Sequence, residues 1–275
     1  MPKRIRVAFQ GEPGAYSEQA VYQHFGPTAE PAPYPTLGDV FQAVEEGRVD
    51  YGVVPVENSL EGGVNETYDL LLQSSLKVRA EIELRIIHCL IGHPGTRLEE
   101  VEVVYSHPQA LGQCRGFLRR LGVRQVPIYD TAGGVKMVWE RGLKNAAAIA
   151  SKRAAEIYGM MVLAEGIEDH KENYTRFFVL GTADAQPTGR DKTSLIFALK
   201  DRPGALYHAL EVFATRQINL TKIQSRPTRR KAWEYNFYLD LEGHRLDPLV
   251  DEALKELNEK AIFVKILGSY PRANQ

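Results

Sequence analysis

The stretch Val101-Glu-Val-Val-Tyr-Ser-His-Pro-Gln-Ala-Leu-Gly-Gln-Cys-Arg-Gly-Phe-Leu-Arg-Arg-Leu-Gly-Val-Arg-Gln-Val-Pro-Ile128 decides the fold class. Residues 101–106 form an apolar, β-branched run, which predicts a buried strand. A helical pattern follows over 107–121, and a second apolar run predicts a strand over 124–128. Strand, helix, strand at this spacing is the repeating unit of a parallel sheet. Upstream, residues 5–9 read as a strand ending at Gly11. Residues 17–25 read as a helix, with Val21 and Phe25 four apart. Residues 37–47 read as another, with Val40, Phe41 and Val44 on one face and Gly47 as its stop, and a strand follows over 51–55. Downstream the alternation continues with helix 131–141, strand 146–149 and helix 151–158. The reading is an α/β region with parallel sheets and helices on both faces.

The style changes after residue 181. Residues 182–191 are polar and rich in turn formers, which places a linker at 183–191. Beyond it the order is strand 194–199, helix 204–215 and strand 218–226. Trp233, Tyr235, Phe237, Leu239 and Leu241 then alternate, the mark of a strand with one buried face. Asp247-Pro248 supplies an N-cap and a first-turn proline. Val250, Ala253, Leu254 and Leu257 form a helical stripe, and 262–267 is the last strand. This is a ferredoxin-like α+β domain, expected at 192–271.

Composition narrows the function classes. The chain has 275 residues and a net charge of −1. That balance offers no basic surface for a phosphate backbone, so nucleic acid is not expected as a partner. Met1-Pro-Lys-Arg-Ile-Arg-Val lacks the apolar stretch of a secretory signal, and no window is apolar for long enough to span a bilayer. The expected location is cytoplasmic, with Cys89 and Cys114 as free thiols. The seven histidines show no ligand-like spacing, so no metal site is expected.

Five segments could carry chemistry. Gly11-Glu-Pro-Gly-Ala-Tyr-Ser17 reads as a plain strand-to-helix turn or as an anion site at a helix start. Asn58 and Ser59 follow the 51–55 strand, at the edge where open α/β sheets bind ligands, and also serve as turn residues. In Ser106-His-Pro-Gln-Ala-Leu-Gly-Gln-Cys114, Ser106 is a candidate N-cap, and Ser106 and Gln109 can meet a carboxylate. Thr131, in Asp130-Thr-Ala-Gly-Gly134, caps a helix or contacts a ligand. Asn173-Tyr-Thr-Arg-Phe177 leads into an apolar strand. These loops hold hydroxyls and amides without a nucleophile–base pair. There is no Gly-Lys-Ser/Thr phosphate loop, and no Gly-x-Gly-x-x-Gly follows a strand. The residues describe a cleft for a small anion bound by neutral donors, and leave open whether it binds or catalyses.

In this order the segments resemble the prephenate dehydratase family. The resemblance is carried by Gly11–Ser17, Asn58-Ser59 with Gly62, Ser106-His-Pro-Gln-Ala with Gln113-Cys114, Asp130-Thr-Ala, Ala147-Ala-Ile-Ala-Ser151 and Thr175-Arg-Phe. The C-terminal unit resembles an ACT domain through Gly204-Ala-Leu-Tyr207 and Gln224-Ser-Arg-Pro227, with Tyr207 and Gln224 replacing the usual valine and glutamate. The resemblance implies a periplasmic-binding-protein-like catalytic region over 1–182, with one lobe from about 1–80 plus 162–181 and the other over 81–161. It implies a cofactor-free lyase acting on prephenate, with no metal. Thr175 would assist the departing hydroxide, and Asn58, Ser59, Ser106, Gln109 and Thr131 would hold the substrate. Arg176 would pair with a substrate carboxylate or form a structural ion pair. A regulatory amino acid, expected to be phenylalanine, would bind at Gly204, Ala205, Leu206, Gln224, Ser225, Arg226 and Pro227, in a homodimer or homotetramer. Arogenate dehydration, or a non-catalytic sensor role, are the alternatives.

Overall fold

The computed structural model describes residues 4–228 and 234–273. The chain forms two compact units. One runs to Thr67 and resumes over Ile82–Phe177, and the other joins Tyr68–Glu81 to the residues from Phe178 onward. In chain order the elements are β1 (Arg6–Gln10), α1 (Tyr16–Phe25), β2 (Glu30–Tyr34), α2 (Leu37–Glu45), β3 (Tyr51–Asn58), β4 (Gly62–Gly63), α3 (Asn65–Gln73), β5 (Lys77–Arg85), β6 (Cys89–Gly92), β7 (Val103–Ser106), α4 (Pro108–Gln113), α5 (Arg115–Leu121) and β8 (Arg124–Pro127). They continue as α6 (Thr131–Glu140), β9 (Ala146–Ala150), α7 (Lys152–Tyr158), β10 (Met161–Glu165), β11 (Tyr174–Gly181), β12 (Asp191–Ala198), α8 (Ala205–Ala214), β13 (Leu220–Pro227), β14 (Tyr235–Glu242), α9 (Pro248–Lys260) and β15 (Phe263–Pro271).

Two sheets make the two lobes of the α/β region. The first has the order β2-β1-β3-β11-β5, with β4 on β3, and the second β10-β6-β9-β7-β8. The strands β2, β1 and β3 are parallel, as are β9, β7 and β8. The expectation of wholly parallel sheets fails at β6 and β10, which run antiparallel to their neighbours. The edge strand β2 has no counterpart in the sequence reading. Pro31 and Pro33 break its apolar pattern, and an edge strand tolerates the missing donors.

The crossover between lobes lies over 166–173, later than the expected 162. The cause is packing: Leu163 and Ala164 pack on the second-lobe core around Leu90, Val104 and Ile149. Removing this apolar surface from water holds β10 in that lobe. The helix expected over 107–121 is broken at Cys114. Asp169 breaks it from outside. Its N–H takes the Gln113 carbonyl, and its carboxylate accepts from Gly116 N at 3.0 Å.

The second unit carries the expected ferredoxin-like order, an antiparallel sheet β13-β14-β12-β15. Leu195, Phe197, Leu239 and Leu241 pack against Val212 and Phe213 of α8 and Leu254 and Leu257 of α9. Trp233 lies outside the described residues. The expectation of one buried face does not hold on β14, where Asn236, Tyr238 and Asp240 are buried beside Leu239 and Leu241 while Tyr235 is exposed. Within this unit the residues 68–81 cover the other face. The Tyr68 ring meets Tyr238 with centroids 4.8 Å apart, and a Cβ on Gly268 would lie 2.2 Å from the Val78 carbonyl oxygen. Among the described residues no helix is long and apolar enough to cross a membrane.

Candidate active site

Strand ends bring the polar side chains of the first unit together. Asn58 ends β3, Thr175 lies at the start of β11, Thr131 opens α6, and Gln109 and Gln113 sit one turn apart on α4. With Tyr16 and Ser17 of α1, they line a cavity of about 150 Å³. Aliphatic and aromatic walls at Pro55, Ile86 and Phe177 complete it. None of the side chains lining it is a carboxylate, a lysine or an arginine.

The amide of Asn58 is oriented by its neighbours. Leu60 N and Glu61 N both donate to its Oδ1 at 3.1 Å. Its Nδ2 therefore faces β11, donating to Asn173 Oδ1 at 2.8 Å, Thr175 Oγ1 at 3.0 Å and the Tyr174 carbonyl at 3.1 Å. Because Thr175 Oγ1 accepts from Asn58, its own proton is left to donate elsewhere, and the side chain lines the cavity.

The network continues inward. Asn173 Nδ2 donates to Gln113 Oε1 at 2.9 Å, and His88 Nε2 lies 2.9 Å from the same oxygen. The other imidazole nitrogen is 2.8 Å from the Tyr16 hydroxyl. Burial pushes the imidazole pKa down, only partly offset by the Gln113 hydrogen bond and the Glu168 carboxylate. The Tyr16 hydroxyl proton is shared between the Ile87 carbonyl, at 3.0 Å, and Nδ1, and a neutral ring protonated at Nε2 faces the Gln113 oxygen. Burial likewise raises the Tyr16 hydroxyl well above its usual range. It also raises the Cys89 thiol to about 11 and pushes Cys114 higher still, so neither is a thiolate nucleophile at neutral pH.

The expected residues divide. Asn58, Gln109, Thr131 and Thr175 line the cavity. Ser106, Ser59 and Arg176 do not. Ser106 is fully buried and donates to the Ile149 carbonyl at 2.7 Å, because it is still paired in β7. The cap of α4 falls instead to His107, whose Nδ1 accepts from Gln109 N. Ser59 spends its hydroxyl on the backbone of residues 172 and 174. The Arg176 guanidinium pairs with Glu57 at 3.1 Å, on the opposite side of the strand from Thr175. The turn after Gly11 has no vacant anion site, since Glu18 Oε2 accepts from Gly14 N at 2.7 Å. Gly14 is required there: its φ is +92°, and a Cβ would stand 2.7 Å from Ala154 Cα.

Sequence reasoning missed Tyr16, Ser17, His88 and Gln113 as site residues. Gln113 had a readable signal, four residues after Gln109 on one helix face. Its Nε2 is buried, and nothing among the described residues accepts from it. His88 had none, because it sits inside an apolar run.

In the second unit, Ala205 and Leu206 line a pocket of about 160 Å³ with Leu199, Arg202, Tyr235 and Phe237. Gly204 caps α8 in the left-handed region, at φ +79°. The strand motif does not act as one surface. Gln224 and Arg226 alternate away from Ser225 and Pro227 on β13. Arg226 is buried against Asp69 at 3.0 Å, with Tyr68 and Tyr238 stacked on its guanidinium.

Comparisons with known proteins match this architecture. The prephenate dehydratase family model covers residues 7–185 and the ACT domain model residues 193–259. A bifunctional chorismate mutase/prephenate dehydratase of Aquifex aeolicus is 47% identical over 99% of this chain and 75% of its own length. Arogenate dehydratase/prephenate dehydratase 2 of Arabidopsis thaliana is 44% identical over 98% of this chain and 73% of its own. The solved prephenate dehydratase of Arthrobacter aurescens in complex with L-Phe superposes with a TM-score of 0.90 at 34% identity, covering 98% of this chain and 90% of that one. The two family models, these relatives and the two-lobed fold agree, and the chain belongs to the prephenate dehydratase family.

Proposed function

We infer that the protein converts prephenate to phenylpyruvate and is regulated through its ACT domain. The single observation that carries the site assignment is the donation from Asn58 to Thr175 Oγ1 at 3.0 Å in a cavity of neutral donors. In the reaction the bond from the ring to its carboxylate breaks and carbon dioxide leaves. That electron pair becomes part of the aromatic ring, and the bond from the ring to the opposite hydroxyl breaks. Aromatisation supplies the driving force, so the protein's task is to hold a dianion and ease the departure of hydroxide. A threonine hydroxyl is too weak an acid to protonate that oxygen outright. Thr175 instead donates a hydrogen bond that strengthens as charge grows on the leaving oxygen. Asn58 supports this by donating to Thr175, since a hydroxyl that already accepts is a better donor. Gln113 Nε2, with Gln109 and Thr131, meets the substrate carboxylates.

Prephenate rather than arogenate is the substrate this cavity fits. Arogenate replaces the keto group with an ammonium, and no carboxylate lines the cavity to pair with it. The test is formation of phenylpyruvate by native and Thr175→Ala protein, with arogenate as the competing substrate. Thr175→Ala is expected to fold and bind while kcat falls about 10²–10³-fold, the usual loss on removing one preorganised donor. A variant with native kcat ends the assignment.

For regulation, an amino acid whose apolar side chain enters the pocket at Leu199, Leu206 and Phe237 is the proposed effector, phenylalanine in the first instance. Assembly as a homodimer or homotetramer is proposed from the exposed apolar side chains Leu246, Leu249 and Ile262 of the same unit.

A further inference from the structure

A primary amide presents an oxygen on one side and a nitrogen on the other, nearly equal in shape and opposite in chemistry. Which end faces a ligand is set by the partners of the other end. Three amides stand in series here, and each dictates the next. The backbone N–H groups of Leu60 and Glu61 claim Asn58 Oδ1, so Asn58 offers its nitrogen to β11. Asn173 must then present Oδ1 to it, at 2.8 Å, which sends its own Nδ2 to Gln113 Oε1 at 2.9 Å. Gln113 can do only one thing with what remains: its Nε2 is buried, has no acceptor among the described residues, and belongs to a side chain that lines the cavity. Asn173 itself is fully buried and touches no part of the cavity surface.

We propose that Asn173 is a positioning residue for the dehydration, setting the polarity of two cavity amides at once so that Thr175 and Gln113 both act as donors. This rests on the site reading above. On one side it holds the Asn58 nitrogen against Thr175. On the other it holds the Gln113 oxygen away from the substrate. His88 backs the second contact, its Nε2 lying 2.9 Å from the same oxygen. An acceptor-only group at position 173 reverses the series. It still takes the Asn58 proton, but it draws the Gln113 nitrogen toward itself and turns Oε1 toward the dianion.

The experiment compares kcat and KM for prephenate in Asn173→Ala, Asn173→Asp, Gln113→Leu and the double variant Asn173→Ala/Gln113→Leu, with thermal unfolding of each. Asn173→Ala is expected to raise KM on the order of 10-fold and to lower kcat by a similar factor, the cost of losing donors to charged groups. In the Gln113→Leu background its effect on KM disappears, because it acts through Gln113, while its effect on kcat stays. Asn173→Asp keeps the shape. As a carboxylate it raises KM more than 10-fold relative to the native protein, and as a neutral acid it donates to Gln113 again. Its KM relative to native therefore recovers as pH falls. The titratable groups around this series are His88, Tyr16, Glu168, the cavity-lining His107, Asp169 behind Gln113, and the thiols Cys89 and Cys114, all present in the native reference.

If Asn173→Ala changes only thermal stability, or its KM effect adds in full to that of Gln113→Leu, the proposal is overturned. A flat pH response of Asn173→Asp overturns it as well, including when Asn173→Ala does not fold. If instead Gln113→Leu and Thr175→Ala keep native kinetics, the site reading itself has failed and Asn173 has nothing to position.

Discussion

The dehydratase cavity and the covered face of the ACT sheet are both buried polar networks, built from opposite chemistry. Around Thr175 the linked groups are amides, hydroxyls and an imidazole whose pKa burial pushes down. On the ACT sheet the Lys192 ammonium meets the Glu81 carboxylate at 2.8 Å with both side chains nearly inaccessible, and Arg226 meets Asp69. Lys222 reaches the Tyr68 hydroxyl, and Ser194 bridges Asp240 and Tyr270. The difference reflects what each network must do. A cavity for a dianion gains from donors aimed in one direction, and neutral amides can be aimed without burying a charge of their own. A surface that fixes residues 68–81 on a sheet needs pairs that tolerate no other partner, and buried ions enforce that because an unmatched one is so costly.

The comparison breaks most visibly at Lys192. Lys192→Met takes the ammonium away from the buried Glu81 carboxylate, so unfolding free energy is expected to drop by about 3–5 kcal/mol. Urea denaturation at pH 7 measures it. Adding Glu81→Leu should restore part of the loss, since an apolar pair of similar volume removes the stranded charge. A single variant as stable as the native chain would falsify the view that this pair carries its charges at a net cost of breakage.

A smaller effect sharpens the other side of the comparison. His88 has its folded pKa lowered by burial, so it stays neutral where an unfolded chain begins to take up a proton, below about pH 6.5. The unfolded state then binds more protons, and stability falls as pH falls through that window. One such proton contributes at most about 1.4 kcal/mol per pH unit. Above pH 6.5 neither state binds the proton and the term is absent. His88→Gln removes the titration, so its stability relative to the native chain should rise on going from pH 7 to pH 5. If the two lines stay parallel, His88 is not held neutral.

Local reading reached most of the α/β alternation and the whole order of the ACT domain, because apolar periodicity records which face each element buries. It failed where a distant group intervenes. Nothing within residues 107–121 announces that Asp169 will end the helix at Cys114. Nothing within 65–81 says that Tyr68 and Val78 pack in the ACT unit, since their pattern is that of any α/β core. Of the cavity, the hydroxyls and amides at strand ends were legible as a class. Ser106 and Ser59 have the same composition and the same loop positions as true cavity residues. Which way a side chain turns there depends on the carbonyl it finds across the sheet.

Ser59 gives the smallest and sharpest contrast. It stands beside Asn58 and was expected to hold substrate, yet its hydroxyl donates to the Glu172 carbonyl at 3.0 Å and accepts from Tyr174 N at 3.0 Å. It therefore clamps the strand that carries Thr175 without facing the cavity. Its backbone N–H also donates to the Tyr174 carbonyl at 2.8 Å, and that contact survives loss of the side chain. Ser59→Ala is expected to cost about 0.5–1.5 kcal/mol of stability, the net worth of an ordinary hydrogen bond. Because Asn58 still points at Thr175 from the same turn, kcat/KM for prephenate should stay within about twofold of native. A KM raised tenfold at unchanged stability would move Ser59 from the clamp to the substrate, and the division between Ser59 and Asn58 would have to be redrawn around the ligand rather than around the backbone.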